Sequence, residues 1–356
     1  MKEDIINVAV AGVGNVASGL LQGIAYLKNY DDKKKNLLYP NISSYEVKNI
    51  RIVAAYDVDE DKVGKDLAEA IFVPINSTPK FVDVDKTDVK VMRGPLKDGL
   101  SGHLQEVIKV SAEAEVDVAK TLLESGAEML ICALPTGAEE AVKTYAQASL
   151  DAGIAFINCT PTLIASDPKW GKKFKLANVC LIGDDLQSKA GGTVLHKGFL
   201  DVLIEQGIKI RDTYQLDVAG GLETLNTLDD DRKQYKREVK ERTIKQSVGN
   251  DINLASGTSD YLEFLGNRRI GHFWILGEGF MDMPIKIDIR LETLDGPNAA
   301  ATIVDVIRSA KVAINRAGGG PIISICAYGF KAPPVTTDRH TAYLWFNEYL
   351  EGFRTE

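Results

Sequence analysis

The segment from Val8 to Ser18 constrains the fold of this chain more than any other. It has the pattern of a short apolar strand, a glycine turn and the start of a helix. Gly12 permits the tight turn, Gly14 lets a pyrophosphate approach the backbone, and Ala17 is small enough for close helix–strand packing. The first helical amides then point at the phosphates, which the helix dipole also favours. On its own the pattern also fits an ordinary strand-to-helix turn. The predicted cofactor-binding residues of the turn are Gly12, Val13, Gly14, Asn15, Val16 and Ala17.

A second apolar run supplies the group that completes such a site. Residues 51–56 are typical of a strand and end in Asp57, whose carboxylate can accept both ribose hydroxyls of an adenosine and would repel a 2′-phosphate. Asp57 follows Gly14 at roughly twice the usual spacing of about 20 residues, because a polar insertion over 28–48 separates them. The two segments together predict a dinucleotide site with NAD as the cofactor.

Strands and helices alternate over the first half of the chain. The sequence predicts helices over 17–30, 61–71, 116–125 and 139–152, and buried strands over 129–135, 154–158 and 179–183. Residues 74–102 are polar and rich in turn signals. Such alternation is typical of a doubly wound parallel sheet with helices on both faces.

The pattern changes after residue 210. Longer strands with partial alternation are predicted over 208–218 and 271–294, as in a sheet with one covered face, and a helix follows over 298–317. We therefore expect an α/β protein in which a Rossmann-like doubly wound parallel sheet is interrupted by an α+β domain and then resumed. The predicted boundaries are 1–195 with 298–356 for the Rossmann-like domain and 196–297 for the second domain.

Charge and cysteine content exclude several classes of protein. The 356-residue chain has a formal net charge of −8, so we expect no general attraction to nucleic acid or to anionic membranes. Its four cysteines, Cys132, Cys159, Cys180 and Cys326, include no Cys-x-x-Cys pair, which favours reduced, buried thiols over a zinc site. The sequence shows no signal peptide and no apolar run of about 18 residues, so a cytoplasmic location is expected.

Further short motifs are spread along nearly the whole chain. Besides the glycine turn, they are Arg93-Gly94-Pro95, Leu134-Pro135-Thr136-Gly137, Ile164-Ala165-Ser166-Asp167-Pro168, Gly183-Asp184-Asp185, Leu225-Asn226, Asp295-Gly296-Pro297-Asn298, Gly319-Gly320-Pro321 and Lys331-Ala332-Pro333-Pro334. Together and in this order they resemble the myo-inositol-1-phosphate synthase family in its short prokaryotic form.

The resemblance implies that D-glucose 6-phosphate is converted into 1D-myo-inositol 3-phosphate, with NAD recycled in each turnover. It also implies a Rossmann domain joined to a catalytic and tetramerisation domain, so the expected partners are a sugar phosphate and further copies of the chain in a homotetramer, with no nucleic acid and no membrane. The family reaction oxidises C5, closes a C1–C6 bond and reduces C5 again. It needs bases at the C5 hydroxyl and at C6, and a cation for the enolate oxygen. Lysine can serve all of these, because burial and like charges lower its pKa.

Three lysines match reactive positions of the family. Lys236 and Lys240 stand at i and i+4, so one helical turn would set them on the same face; a solvated, charged helix is the alternative. Lys331 follows the apolar run 322–330, which we interpret as a buried strand, and precedes two prolines. The resemblance implies that Lys331 and Lys236 act at the C5 hydroxyl and carbonyl, and that Lys240 and Arg269 bind phosphate and the developing oxyanion.

Other matches concern the nicotinamide side of the pocket. The resemblance places Asp185 and Ser188 near the nicotinamide ribose and the substrate, and Asp295 where it could orient an ammonium group. With Asp184, Asp185 could form a paired-acid metal site, but adjacent acids leaving a strand point opposite ways, and we predict no metal. Asn226 is either a hydrogen-bond partner of a substrate hydroxyl or a turn residue. The remaining predicted residues of the nicotinamide side are Leu134, Pro135, Thr136 and Thr160.

The substrate pocket departs from the family pattern more than the scaffold does. Arg269 stands in place of a third lysine, and arginine keeps the charge but cannot deliver a proton near neutral pH. The hydroxyl-rich stretch of the family is replaced by residues 235–241, its Gly-Asn-x-Asp by residues 220–223, and a serine by Gly296. These departures leave two other functions open, an NAD-linked dehydrogenase of another polyol phosphate and a non-catalytic NAD-binding relative.

Overall fold

Two β-sheets organise the part of the chain that this computed structural model describes. The structure describes residues 5–100, 102–228, 234, 237, 241, 244–245 and 252–356. The strands are β1 (Ile6–Ala11), β2 (Ile50–Asp57), β3 (Val91–Arg93), β4 (Met129–Cys132), β5 (Ala155–Asn158), β6 (Cys180–Ile182), β7 (Lys209–Ala219), β8 (Asn253–Tyr261), β9 (Arg268–Glu278), β10 (Pro284–Leu294) and β11 (Gly320–Pro321). The helices are α1 (Asn15–Asn29), α2 (Leu67–Ala70), α3 (Leu104–Val107), α4 (Val118–Ser125), α5 (Glu139–Asp151), α6 (Pro168–Leu176), α7 (Gly192–Glu205), α8 (Leu222–Asn226), α9 (Asp295–Asn315), α10 (Ile323–Gly329) and α11 (Arg339–Glu351).

The larger sheet is parallel and has the order β11-β6-β5-β4-β1-β2-β3. Side chains of a strand alternate between the two faces, so Val8 and Val10 join a core with α1 and α9, while Ala9 and Ala11 join a second core with α4, α5 and α6. Helices therefore cover both faces. This confirms the prediction of an α/β fold with a Rossmann-like, doubly wound parallel sheet.

The smaller sheet has the order β10-β9-β7-β8, with β9 antiparallel to both β10 and β7. Leu200 of α7 packs with Ile210 and Ile275 on one face. The sequence predicted one long element over 271–294, but it is a hairpin of β9 and β10 that turns at residues 279–283. Strand β8, which pairs in parallel with β7, was not predicted.

Two further predictions of secondary structure were wrong. Within residues 322–330, helix α10 takes up Ile323–Gly329 and there is no strand, because a short apolar run does not by itself distinguish a buried strand from a helix. The helix predicted over 61–71 is reduced to the four residues of α2, preceded by turns. Among the described residues, no helix is both long and apolar enough to cross a membrane.

Candidate active site

The carboxyl ends of adjacent strands of the parallel sheet open onto one cavity of about 370 Å³. Strand β1 lies between β2 and β4, so the chain winds away from it in opposite directions at this point. Open α/β sheets bind ligands at such a switch point. The cavity continues past β5 and β6 to the smaller sheet, where residues of the central strands β7 and β9 also line it.

The two glycines of the turn between β1 and α1 have different roles. Gly12 has φ +92°, and a Cβ there would lie 2.5 Å from the carbonyl oxygen of Ala133. A Cβ on Gly14 would meet no atom within 4 Å, and Gly14 lines the cavity. Gly14 is the N-cap of α1, and no side chain caps the first amides of that helix. The turn therefore presents backbone and open space to the cavity.

Replacing Gly12 with alanine is expected to destabilise the fold by about 2–4 kcal/mol, because the backbone is strained there and the Cβ overlaps a carbonyl oxygen. Gly23→Ala is the matched control, since its Cβ has no neighbour within 4 Å and alanine favours the helix. Urea unfolding measures both variants. Equal stability of the two would contradict this account of the turn.

Asp57 connects the end of β2 to the glycine turn. Its Oδ2 accepts a hydrogen bond from the Val13 amide at 2.8 Å, and its Oδ1 accepts from the Val58 amide at 2.7 Å. The Lys62 ammonium lies 3.6 Å from Asp57 Oδ2 and 3.7 Å from Asp59 Oδ2. Burial raises the pKa of Asp59. Apolar side chains form the neighbouring wall of the cavity, and they are Val58, Ile75, Pro95, Leu96, Leu104 and Ile108.

Lys331 and Asp185 form an ion pair in the cavity lining. The Lys331 Nζ donates to Asp185 Oδ1 at 2.6 Å. The two segments also pair through the backbone, since the Lys331 amide donates to the Asp185 carbonyl at 2.8 Å and the Ala332 amide to the Asp184 carbonyl at 3.0 Å. Lysine and carboxylate are therefore held together by both main chain and side chain, although 146 residues separate them.

The neighbouring Asp184 points away from this pair. Its carboxylate accepts from Asn158 Nδ2 at 2.7 Å and from the three amides of residues 164–166 at 3.0 Å each. The Ser166 hydroxyl also donates to it. Burial raises the pKa of Asp184, while these hydrogen bonds act in the opposite direction. Asp184 thus stabilises the loop after β5. Among the described residues, no cluster of three or more His, Cys, Asp or Glu side chains could hold a metal ion.

Arg269 on β9 lies among carboxylates at the far end of the cavity. Its Nε donates to both oxygens of Asp295 at 2.9 Å, and its Nη1 lies 3.5 Å from Asp217 Oδ2. Burial lowers the pKa of Arg269, but Asp295, Asp217 and Glu223 outweigh burial and raise it. The charge of the guanidinium is therefore already balanced by the protein.

Helix α7 begins at the cavity. Gly191 is its N-cap without a side-chain cap, and Gly191, Gly192 and Thr193 line the cavity together with Ser188. A Cβ on Gly192 would lie 2.1 Å from Gln215 Nε2 on β7, which keeps the start of the helix close to the smaller sheet. The uncapped amides of a second helix thus face the same space as those of α1.

Most of the predicted site residues line this cavity. They are Gly12, Gly14, Asn15, Val16, Asp57, Leu134, Pro135, Thr136, Thr160, Asp185, Ser188, Arg269, Asp295 and Lys331. The side chains of Val13 and Ala17 are buried behind the turn. Asn226 is fully buried in α8 and donates to the Thr136 carbonyl at 2.8 Å. Lys236 and Lys240 lie outside the described residues, so their placement stays a prediction.

Several lining residues were missed from the sequence. Glu223 accepts from the hydroxyl and the amide of Thr136, and Asp217 pairs with Arg269. An acid within a predicted strand is a signal that could have found Asp217, which is 2% exposed. Asn76 donates to the Val13 carbonyl at 2.9 Å, and it has no comparable signature in the sequence.

The four cysteines are free thiols, as predicted. Burial raises the pKa of Cys132, Cys180 and Cys326 to about 12, so these thiols stay protonated and unreactive at neutral pH.

The fold and the site define a Rossmann-like α/β protein whose cavity lies where such sheets bind nucleotides. A family model described as myo-inositol-1-phosphate synthase matches residues 191–296. The inositol-3-phosphate synthase of Mycolicibacterium smegmatis is 40% identical over 356 residues, which covers 98% of each chain. That of Corynebacterium glutamicum is 39% identical over 366 residues, which covers 100% of each. The chain therefore belongs to the myo-inositol-1-phosphate synthase family.

The fold agrees with this membership. The crystal structure of a myo-inositol-1-phosphate synthase-related protein from Thermotoga maritima superimposes with a TM-score of 0.81, covering 98% of each chain at 23% identity.

Proposed function

We propose that this protein converts D-glucose 6-phosphate into 1D-myo-inositol 3-phosphate, using NAD that is regenerated in every cycle. The observation that carries the proposal is the Lys331–Asp185 pair, which shares one cavity with two uncapped helix N-termini in a member of this family. One N-terminus serves the cofactor and the other the sugar phosphate.

The residues present fit NAD. Gly14 leaves a space that any Cβ would fill, and the amides at the start of α1 face the cavity with no side-chain cap. Asp57 would accept the adenosine ribose hydroxyls beside the apolar wall described above. The nicotinamide side would be held by Leu134, Pro135, Thr136 and Thr160. When bound, NAD supplies a hydride acceptor for C5, and its reduced form returns that hydride.

The start of α7 is suited to the substrate phosphate. Its free amides and dipole favour an anion, and the hydroxyls of Ser188 and Thr193 lie in the same lining. Because the whole chain is acidic, the phosphate depends on such local donors. The predicted cations Lys236 and Lys240 would add charge at this end.

Lys331 is assigned as the base at the C5 hydroxyl. In its neutral form its Nζ takes the hydroxyl proton as C5 is oxidised, which gives the ammonium that pairs with Asp185, and the ammonium returns that proton when C5 is reduced. Asp185, which accepts from that Nζ at 2.6 Å, orients the amine. Between these steps a proton leaves C6, the resulting enolate carbon attacks C1 to form the new bond, and the C1 oxygen takes up a proton. Atoms and electrons therefore balance without net oxidation.

The carboxylates around Arg269 are suited to sugar hydroxyls. Glu223 and Asp295 line the cavity with carboxylates that can accept hydrogen bonds from hydroxyls, and Asp295 pairs with Arg269. We assign Asp295 to positioning the substrate hydroxyls and Arg269 to donating a hydrogen bond to the developing oxyanion. The same acidic surroundings would suit another polyol phosphate, which keeps a dehydrogenase as the second candidate.

We further propose that residues 196–297 form a catalytic and oligomerisation domain between the two parts of a cofactor domain, 1–195 and 298–356, and that the protein is a cytoplasmic homotetramer. Half-exposed Tyr214, Leu216 and Trp274 on the outer face of the smaller sheet support assembly through that domain.

Incubation with NAD and glucose 6-phosphate tests the proposal. We expect inositol phosphate to form without accumulation of NADH. Accumulation of NADH would support the dehydrogenase instead, and no product despite demonstrated NAD binding would reject this substrate.

Asp57→Asn is expected to weaken NAD binding by about tenfold, because charge-assisted hydrogen bonds to the ribose are replaced by neutral ones. The amide oxygen of the asparagine can still accept from Val13, so the turn should persist. Fluorescence titration with NAD and NADP measures the change, with Asp61→Ala at an exposed position as the control. An unchanged preference for NAD over NADP in Asp57→Asn would contradict the assignment.

A further inference from the structure

A second, smaller cavity lies behind Lys331. Its volume is about 40 Å³, and it shares Lys331, Gln187 and Val194 with the main cavity. Lys197 of α7 and Arg339, the first residue of α11, also line it, as do the hydroxyl-bearing Thr336 and Thr337. No carboxylate is among its lining residues in the described chain.

Besides Lys331, which pairs with Asp185, the cavity is lined by the half-buried Lys197 and the exposed Arg339, and neither of these two forms an ion pair with a described residue. Arg339 Nε would lie 4.0 Å from a Cβ built on Gly198, the residue after Lys197, so its guanidinium lies along α7. Within the described residues, no carboxylate oxygen lies within 4.0 Å of Lys197 or of Arg339. Burial lowers the pKa of Lys197, and the positive charge of Arg339 acts in the same direction. An anion bound between Lys197 and Arg339 would favour the charged form of Lys197, and so oppose both its burial and its repulsion by Arg339.

The nearest acids do not fill this role. The Asp338 carboxylate accepts from the amide of Thr341 at 2.9 Å and from its hydroxyl, so it is used as the N-cap of α11. Asp201 lies one helical turn after Lys197, and burial raises the pKa of its carboxyl, although the charges of Lys197 and Arg339 both act in the opposite direction. Asp201 and Asp338 both favour the charged form of Lys197 from a distance, but neither lines the cavity.

We propose that the smaller cavity binds an inorganic oxyanion of the phosphate and sulfate class between Lys197 and Arg339. The hydroxyl of Thr336 would be a further donor, whereas that of Thr337 donates to Asp338 Oδ2 at 3.4 Å. A water molecule needs roughly 10–15 Å³ of such volume, so 40 Å³ suits one small tetrahedral ion and excludes a sugar phosphate.

Occupation of this cavity affects the main one through Lys331, which lines both. The bound ion competes with Asp185 for the Lys331 ammonium and draws it from the reacting centre. This consequence rests on the proposed function, whereas binding of the ion does not.

Calorimetric titration with inorganic phosphate tests the binding, using wild type, Lys197→Gln and Arg339→Gln. The wild type should show two phosphate sites, one at the start of α7 and one in the smaller cavity. In each of the two variants we expect the affinity of one site to fall at least about tenfold, since one charged donor is lost. Lys172→Gln on the exposed side of α6 should behave as wild type. Identical titrations for all four proteins would overturn the proposal. Selenate soaked into crystals should give an anomalous peak between Lys197 and Arg339, and a peak only at the start of α7 would also overturn it.

Kinetics test the consequence separately. At saturating glucose 6-phosphate, inorganic phosphate should lower the kcat of the wild type several-fold and leave the kcat of Lys197→Gln unchanged. Without inorganic phosphate, the two proteins should have equal kcat values. An equal fall in both would contradict the link through Lys331. Failure of the proposed function would appear instead as an inactive wild type whose phosphate binding still depends on Lys197.

Discussion

Replacing Lys331 with methionine is expected to reduce kcat by about 10²- to 10⁴-fold, the usual contribution of a general base. Methionine keeps the length and removes the amine that donates to Asp185 at 2.6 Å. Binding of NAD should change little, because the glycine turn and Asp57 are untouched. Steady-state assays and NAD titration of the same preparation separate the two effects.

Lys331→Arg is the control for charge. Arginine retains the cation beside Asp185 but cannot give up its proton at neutral pH. We therefore expect it to be nearly as inactive as the methionine variant. Recovery of most of the activity by arginine would show that Lys331 acts only through its charge.

Gly14→Val is expected to weaken NAD binding by on the order of 100-fold while leaving the fold intact. A Cβ at this position meets no protein atom within 4 Å, and the backbone at φ −96° and ψ −158° is extended. The added side chain would instead occupy the space through which a pyrophosphate reaches the amides of α1. Thermal unfolding and NAD titration measure the two properties independently.

Gly14→Ala should give a smaller loss than Gly14→Val, since only one carbon enters the same space. Unchanged NAD affinity in the valine variant would remove the glycine turn from the cofactor site. A loss of stability comparable to that of Gly12→Ala would mean that Gly14 is needed by the fold itself.

The parallel sheet could be predicted because its signals are local. Each signal can be recognised within a few residues. These signals are the apolar run that forms β1, Gly12 with its positive φ, and the acid that ends β2. Alternation of such segments then limits the topology to a doubly wound sheet. Residues 322–330 show the limit of this reasoning, because a short apolar run suits a helix as well as a buried strand.

The partners within the site could not be predicted in the same way. Arg269 meets Asp295 only because β9 and β10 form a hairpin whose register pairs Arg269 with Thr293. The family resemblance implied that Arg269 binds phosphate and the developing oxyanion, and the structure shows its guanidinium paired with Asp217 and Asp295. Resemblance to the family located Lys331 and Asp185, but their contact depends on tertiary pairing of distant segments.

A single-turnover reaction with glucose 6-phosphate deuterated at C5 tests the central claim most directly. If Lys331 and bound NAD act at C5 in one closed cavity, the deuterium should be recovered at the same carbon of inositol phosphate, with no net reduced cofactor. Deuterium accumulating in reduced NAD alongside a keto product would contradict the account.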